Sequence, residues 1–192
     1  ALKRLKKGSL QVTGSISFTQ ERAKFLHYSE PYRKEVIGLF VARNKKKEYD
    51  FQSLEELSKT DFLLGANLGY YYGKSFAELK ANGALADNLQ LSEGHISNLY
   101  NLREGKIDGF LMEIITGFML LKQTKLENSL VQYPLIINDS NVYFVFSKKS
   151  VNLNFVNRFN QELIKAQNNG LYEQLKMKYF PTPQGQMIYK PD

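Results

Sequence analysis

Two short motifs lie within residues 15–32: Ser15-Ile16-Ser17-Phe18-Thr19-Gln20-Glu21-Arg22 and Tyr28-Ser29-Glu30-Pro31-Tyr32. The guanidinium of Arg22 is a planar fork of donors that matches the two oxygens of a carboxylate. The hydroxyls of Ser17 and Thr19 can add donors or cap the helical turn that follows them. The first motif therefore predicts a loop that binds an anion, and the second predicts a turn that redirects the backbone.

The composition is that of a globular protein. The 192 residues are 43% hydrophobic and 13% aromatic, which is enough for one sizeable domain or for two small lobes with their own cores. The formal net charge is +7, but the lysines are scattered among acidic residues, and no recognition-helix or RNA-binding signature accompanies them. We therefore interpret the charge as a solvated basic surface and predict no nucleic-acid partner.

Several kinds of chemistry are absent from the sequence. Cysteine does not occur, which excludes disulfides, thiolate catalysis and zinc sites built from cysteine and leaves the cellular compartment open. The longest apolar run, residues 114–121, is far shorter than the roughly 20 residues that a membrane-spanning helix needs. The only histidines, His27 and His95, have no obvious metal partners, so we interpret them as structural or solvated and predict neither a metal nor a cofactor.

Strand-like and helix-like segments alternate along the chain. Strands are predicted from apolar runs and helices from apolar residues spaced three and four apart. The alternation predicts a parallel-rich α/β fold, followed by an irregular tail over residues 181–192. The predicted strands are 10–15, 35–43, 62–66, 107–112 and 142–146, and the predicted helices are 2–7, 53–58, 74–81, 96–105, 114–122, 155–169 and 171–179.

Two segments in the middle of the chain place polar or glycine residues directly after a predicted strand. Residues 67–73, Asn-Leu-Gly-Tyr-Tyr-Tyr-Gly, precede a predicted helix, an arrangement that can point free backbone amides at an anion. Spacing alone favours the alternative that Gly69 serves only the geometry of the turn. Glu113 follows another strand, where it can hold an ammonium group, begin the next helix and stabilise its dipole, or do both.

Several motifs in a fixed order together resemble the family 3 extracellular solute-binding proteins, the amino-acid receptors of ABC importers. Besides the two motifs above, they are Ser53-Leu54-Glu55-Glu56-Leu57, Leu64-Gly65-Ala66-Asn67-Leu68-Gly69, Leu102-Arg103-Glu104-Gly105-Lys106-Ile107-Asp108, Asn169-Gly170-Leu171-Tyr172 and Lys178-Tyr179-Phe180. The resemblance implies an α/β, two-lobed periplasmic-binding-protein-like (type II) fold whose lobes are joined by two hinge strands. It maps the first lobe to residues 1–43 and 143–192 and the second lobe to residues 44–142.

The resemblance also implies a function. A small-molecule ligand, an amino acid or a similar carboxylate, would be trapped between the lobes by hinge closure in the periplasm or another extracytoplasmic space. The closed state would be recognised by an ABC permease or a signalling partner. We therefore predict a binding protein and not an enzyme. Because the fold family includes dehydratases and cell-wall lyases, the alternative is a sensory domain or an enzyme on the same scaffold.

In the first lobe, the resemblance implies ligand-binding residues within the opening motif. Arg22 stands where the family has a carboxylate-binding arginine, and the accompanying hydroxyl or backbone donors are at Ser15 and Ser17. Gln11 replaces an aspartate that is common in the family.

In the second lobe, the implied donors are Gly69, Tyr70 and Tyr71, with tyrosines where small hydroxyl residues are usual. Glu113 stands where an aspartate usually grips the amino group of the ligand. These departures are compatible with an amino acid, with another small carboxylate or with a changed specificity.

Members of the family begin with a strand, a helix and a second strand ahead of the position of Ala1, so the resemblance implies a first lobe that is incomplete at its N-terminus. Ala1 opens a basic amphipathic segment and not a cleavable signal. We expect a shortened or processed chain, or a second chain that supplies the absent elements. Exposed apolar surface would then favour self-association.

Overall fold

A computed structural model describes residues 1–179 of the chain. The predicted irregular tail, residues 181–192, and the last residue of the Lys178-Tyr179-Phe180 motif lie outside the described residues. Beside a short 3-10 turn at Lys46–Glu48, the helices are α1 (Leu2–Lys7), α2 (Gln20–Ala23), α3 (Leu54–Leu57), α4 (Lys74–Ala81), α5 (His95–Arg103), α6 (Ile114–Thr124), α7 (Leu153–Asn168) and α8 (Leu171–Tyr179). The strands are β1 (Val12–Ser17), β2 (Leu26–Ala42), β3 (Leu64–Asn67), β4 (Leu89–Ser92), β5 (Gly109–Glu113) and β6 (Leu130–Ser147).

The six strands are hydrogen-bonded in the order β1-β6-β2-β5-β3-β4. β3 runs parallel to both β4 and β5, whereas β1 pairs with β6 and β2 pairs with β5 in antiparallel fashion. The predicted α/β class is confirmed, but the prediction of a parallel-rich sheet is wrong, because the sheet is mixed. A buried apolar run has the same residue pattern in either strand direction, so its sequence does not reveal the direction.

Contacts within the chain separate it into two compact units. Unit 1 comprises Ala1–Lys34 and the described residues from Asn141 onward, and unit 2 comprises Glu35–Ser140. The long strands β2 and β6 each contribute residues to both units. The lobe boundaries that we predict from the sequence stay a prediction.

Unit 1 packs around a small apolar core of Leu5, Leu26 and Val145. Gly8 ends α1 in the left-handed conformation, with φ 84°, as the glycine after the lysine-rich turn predicts. The register of β1 against β6 is irregular between Thr13 and Ile16. This irregularity lies in the segment that carries the opening motif.

Unit 2 has the larger core, in two clusters on β2, β3, β5 and the helices that follow them. Residues 37–41 of β2 are all buried, which confirms the predicted strand with both faces covered. Ser53 caps α3 by accepting from the amide of Glu56 at 3.1 Å. The Glu56 carboxylate accepts from the amide of Gln52 at 2.7 Å, one residue earlier than a standard capping box predicts.

Candidate functional site

The predicted anion-binding loop of unit 1 is built from the end of β1 and the short helix α2. Thr19 caps α2, because its hydroxyl accepts from the amide of Arg22 at 3.2 Å. The half-buried Arg22 side chain donates from Nη1 to the carbonyl of Ser17 at 3.0 Å. A guanidinium has five N–H donors, so one bond to a carbonyl orients the fork and leaves it able to bind a carboxylate.

Ser15 connects the two opening motifs. Its hydroxyl lies 2.8 Å from the hydroxyl of Tyr32, and its amide donates to the same oxygen at 3.1 Å. Arg33 donates from Nη2 to the Ser15 hydroxyl at 3.4 Å. The backbone of Ser15 has φ 55°, a left-handed conformation that is uncommon for serine. Arg33 is not among the residues predicted from the sequence, although it directly follows the second motif.

The loop after β3 in unit 2 separates a glycine turn from a helix start. Gly69 has φ 79°, and a Cβ built on it would meet nothing within 4 Å, so the turn needs glycine for its backbone geometry. α4 begins at Lys74 as predicted, but its N-cap is Gly73. The predicted loop over residues 67–73 and the predicted helix start at Lys74 are therefore confirmed, and the three tyrosines lie between the turn at Gly69 and the cap.

The three tyrosines occupy different environments. Tyr70 is 56% exposed, Tyr71 is half-buried and Tyr72 is buried. The hydroxyl of Tyr72 accepts from the amide of Asn67 at 2.8 Å, and burial raises the pKa of Tyr72. The rings of Tyr70 and Tyr72 are stacked, with centroids 6.3 Å apart and an interplanar angle of 25°. The loop thus presents one exposed aromatic ring supported by a buried one.

A chain of polar side chains lies behind this loop. The side-chain nitrogen of Asn98 donates to Oδ1 of Asn67 at 2.9 Å, and Nδ2 of Asn67 lies 2.6 Å from Nδ1 of His95. The His95 ring also meets the Tyr70 ring edge-on, with centroids 5.3 Å apart. This chain of side chains is not among the sites predicted from the sequence. The available signal was a polar residue, Asn67, at the end of an otherwise apolar strand, which is where ligands bind in α/β sheets.

Glu113 is the last residue of β5 and the N-cap of α6. Its carboxylate accepts from the amide of Ile115 at 3.3 Å and from the amide of Thr116 at 2.7 Å. The helix-capping role that we consider for Glu113 is therefore present. Burial lowers the pKa of His95, and the negative charge of Glu113 opposes that shift in part.

The predicted site residues form two separate groups. Ser15, Ser17 and Arg22 belong to unit 1, and Gly69, Tyr70, Tyr71 and Glu113 belong to unit 2. Within residues 1–179, no three His, Asp or Glu side chains are grouped so that they could hold a metal ion. In the same part of the chain, no helix has the length and apolar character that crossing a membrane requires.

The model of the bacterial extracellular solute-binding proteins, family 3, matches residues 1–182. The chain belongs to this family. No curated protein sequence matches it. The motifs that suggest the family in our sequence analysis thus led to the correct assignment.

Solved structures of similar fold include both transport and sensory proteins. A structure from work on glutathione import and the cystine ABC importer of Streptococcus mutans is 23% identical, with a TM-score of 0.75, and the match covers 99% of this chain and 75% of that one. An amino-acid ABC transporter substrate-binding protein from Streptococcus pneumoniae, bound to L-arginine, is 19% identical, with a TM-score of 0.74 and coverage of 93% and 71%. A histidine kinase sensor domain is 18% identical, with a TM-score of 0.77 and coverage of 94% and 74%. At such low identities, the structural similarity shows a shared fold alone, and it confirms the predicted two-lobed, periplasmic-binding-protein-like class.

Proposed function

We propose that this chain captures a small carboxylate-bearing ligand, most simply an amino acid, for an ABC importer. The observation that carries the proposal is the setting of Arg22. Its guanidinium is half-buried, oriented by the carbonyl of Ser17 and fixed at the start of a helix capped by Thr19. Such a pre-oriented fork loses little freedom when it binds a carboxylate.

Unit 2 supplies the complementary charge in this proposal. The Glu113 carboxylate is held in place by the first amides of α6 and attracts the ammonium group of an amino acid. Gly69, Tyr70 and Tyr71 contribute backbone donors and an exposed ring, and an aromatic face also attracts a cation. One ligand is thus bound by residues of both units, and the hinge closure that the resemblance implies is part of the same proposal.

The proposed setting is extracytoplasmic, with delivery of the ligand to an ABC permease or to a signalling partner. Family membership supports this setting. Self-association is a further part of the proposal, because Leu153 and Phe155 in unit 1 are each 54% exposed and exposed apolar surface favours association.

Calorimetric titration with each of the twenty L-amino acids and with acetate and succinate tests the proposal. At least one amino acid should bind, and Arg22→Ala should weaken its binding roughly 10- to 150-fold, since a hydrogen-bonded charge contributes about 1.5–3 kcal/mol. Lys24→Ala is the matched control, because Lys24 also adjoins α2 and instead pairs with the exposed Glu21. Equal affinities of wild type and Arg22→Ala would refute the role of Arg22.

We further propose that the chain binds its ligand without transforming it, as members of a solute-binding family do. The amino acid that binds most tightly should show an unchanged NMR spectrum after prolonged incubation with the protein. Appearance of a product at a rate proportional to protein concentration would favour the enzymatic alternative.

A further inference from the structure

We propose that His95 is a further ligand-contacting residue of unit 2, held by Asn67 and Asn98 as a neutral imidazole that presents its Nε2–H to an oxygen atom of the ligand. The proposal rests on the proposed function and adds a specificity-determining donor to it. The acceptor would be a carbonyl, hydroxyl or carboxylate oxygen.

The hydrogen-bond chain determines which ring nitrogen carries the proton. Asn98 donates to Oδ1 of Asn67, so the amide nitrogen of Asn67 faces Nδ1 of His95. An amide nitrogen only donates, so Nδ1 must accept. The ring proton of the neutral imidazole is then on Nε2.

The opposite orientation of the two amides would cost more. Asn98 is fully buried, and its Oδ1 has no hydrogen-bond partner. If both amides were turned over, the buried group without a partner would be the amide nitrogen of Asn98 with its two N–H donors. Orphaned N–H groups are rarer in proteins than orphaned carbonyls, so the observed orientation is the favoured one.

The backbone of β3 leaves room for the Asn98 side chain at its present place. A Cβ on Gly65 would lie 2.9 Å from Oδ1 of Asn98 and 2.6 Å from Cδ1 of Ile107. Only glycine at position 65 therefore admits the Asn98 side chain at its present place. Glycine at position 65 thus leaves room beside β3 for the Asn98 end of the amide chain.

His95 shares its surroundings with two predicted ligand-binding residues. Its ring meets the exposed ring of Tyr70, and the charge of Glu113 acts on it. Among the described residues, none accepts a hydrogen bond from Nε2. A neutral donor beside Glu113 suits an amino acid, because an imidazolium would repel the ammonium group that Glu113 attracts. Burial lowers the pKa of His95, which favours the neutral form.

The experiment combines nitrogen NMR with calorimetry on the full chain. Since the chain has only two histidines, a ¹⁵N-histidine spectrum contains two rings, and His95→Phe assigns them. The His95 signals should show a protonated Nε2 and an unprotonated Nδ1 at pH 7.5. Asn98→Leu removes the donor to Asn67 and should shift these signals toward a mixture of tautomers, whereas Asn88→Leu should not. Asn88 is the matched control because it is also buried in unit 2 and donates to the carbonyl of Thr60.

Affinity is then measured for the tightest binder among the twenty L-amino acids. His95→Phe should weaken its binding about five- to tenfold, the effect of one neutral hydrogen bond, and Asn98→Leu should weaken it to a lesser extent. His27→Phe, in unit 1, should leave it unchanged. Thermal unfolding of each variant verifies that it folds, and Asn98→Leu retains His95 if His95→Phe does not fold.

The outcomes separate this inference from the proposed function. A proton on Nδ1 of wild-type His95, or wild-type affinity in His95→Phe, overturns the inference and leaves amino-acid binding standing. Absence of binding by wild type to every amino acid, to acetate and to succinate refutes the proposed function and, with it, the ligand contact of His95.

Discussion

Replacing Gly117 by alanine should destabilise unit 2 even though alanine is the better helix former. Gly117 lies on α6, where a Cβ would collide with Cζ of Phe40 and stand 2.6 Å from Cε2 of the same ring. The Phe40 ring is fully buried. It is stacked on Phe110 at 5.6 Å and meets Phe118 edge-on at 5.9 Å, so it has no room to withdraw.

The magnitude follows from two opposing effects. Overpacking of a core typically costs about 1–3 kcal/mol, and so close a contact belongs at the upper end of that range. Replacing glycine in a helix interior by alanine returns about 1 kcal/mol. The net loss of unfolding free energy is about 2 kcal/mol, which lowers the melting temperature of a chain of this size by about 4–8 °C.

Urea unfolding, followed by circular dichroism, measures this loss as a lower midpoint with an unchanged slope. A second variant, Phe40→Leu, replaces the opposing ring by a shorter side chain, so Gly117→Ala should cost less in that background. The coupling energy between the two substitutions should be about 1 kcal/mol or more. If Gly117→Ala proved as stable as wild type, the close approach of α6 to Phe40 would be refuted. Because Glu113 caps α6, a displaced helix should also weaken amino-acid binding.

Three further predictions concern stability. Lys125→Gly should stabilise the protein by about 0.5 kcal/mol, because Lys125 ends α6 in the left-handed conformation, with φ 57°, which glycine adopts without strain. A lower urea midpoint would contradict this prediction. Thr19→Ala should cost about 1 kcal/mol through loss of the α2 cap and should weaken amino-acid binding by loosening Arg22; unchanged binding would separate the cap from the site. Burial lowers the pKa of His95 below 6.5, and burial with the nearby Lys148 does the same for His27. As pH falls from 7.5 to 5.5, the unfolded chain therefore binds more protons than the folded chain, and the free energy of unfolding should fall. The fall should be less steep when both histidines are replaced by phenylalanine. An equally steep fall in that variant would contradict the lowered histidine pKa values.

The helices could be predicted closely because their ends carry local signals. α4 occupies the predicted residues 74–81, and α1 ends at the predicted Gly8. Caps and terminal glycines act within one turn of the backbone, so a short stretch of sequence contains the whole cause. For the same reason, the roles of Thr19 and Ser53 as caps could be deduced from their spacing.

The strands were harder to predict because their extent depends on partners distant in the sequence. β2 begins at Leu26, well before the predicted 35–43, and includes the turn-like motif around Pro31. β4, Leu89–Ser92, was not predicted. Its two central residues, Gln90 and Leu91, are both exposed, so the strand lacks the alternation of buried and exposed residues that predicts a strand. A strand at the edge of a sheet is defined by its pairing with β3, and that pairing leaves little trace in its own residues.

The candidate site shows the same division. Arg22 and Glu113 could be singled out because charged side chains next to a cap or a strand end are visible in the sequence. The partnership of Asn67, His95 and Asn98 could not, because it joins the end of β3 to α5 across about thirty residues and depends on the placement of buried amides. A lone histidine in sequence is usually structural, and only its hydrogen-bonded neighbours indicate a further role.

Glu113 can serve α6 and a ligand together because the first role prepares the second. A flexible glutamate loses side-chain freedom when it binds an ammonium group, and that loss reduces affinity. Here the amides of Ile115 and Thr116 already hold the carboxylate, so much of the freedom is lost on folding. The extra methylene of glutamate, compared with the aspartate usual in the family, then adds little side-chain freedom that would be lost on binding. Glu113→Gln separates the two roles, because its single carboxamide oxygen can still accept from the amide of Thr116, which makes the shorter of the two bonds, while the negative charge is removed. The variant should lose affinity for amino acids but retain most of its stability, and an equal loss of both would show that Glu113 acts only as a cap.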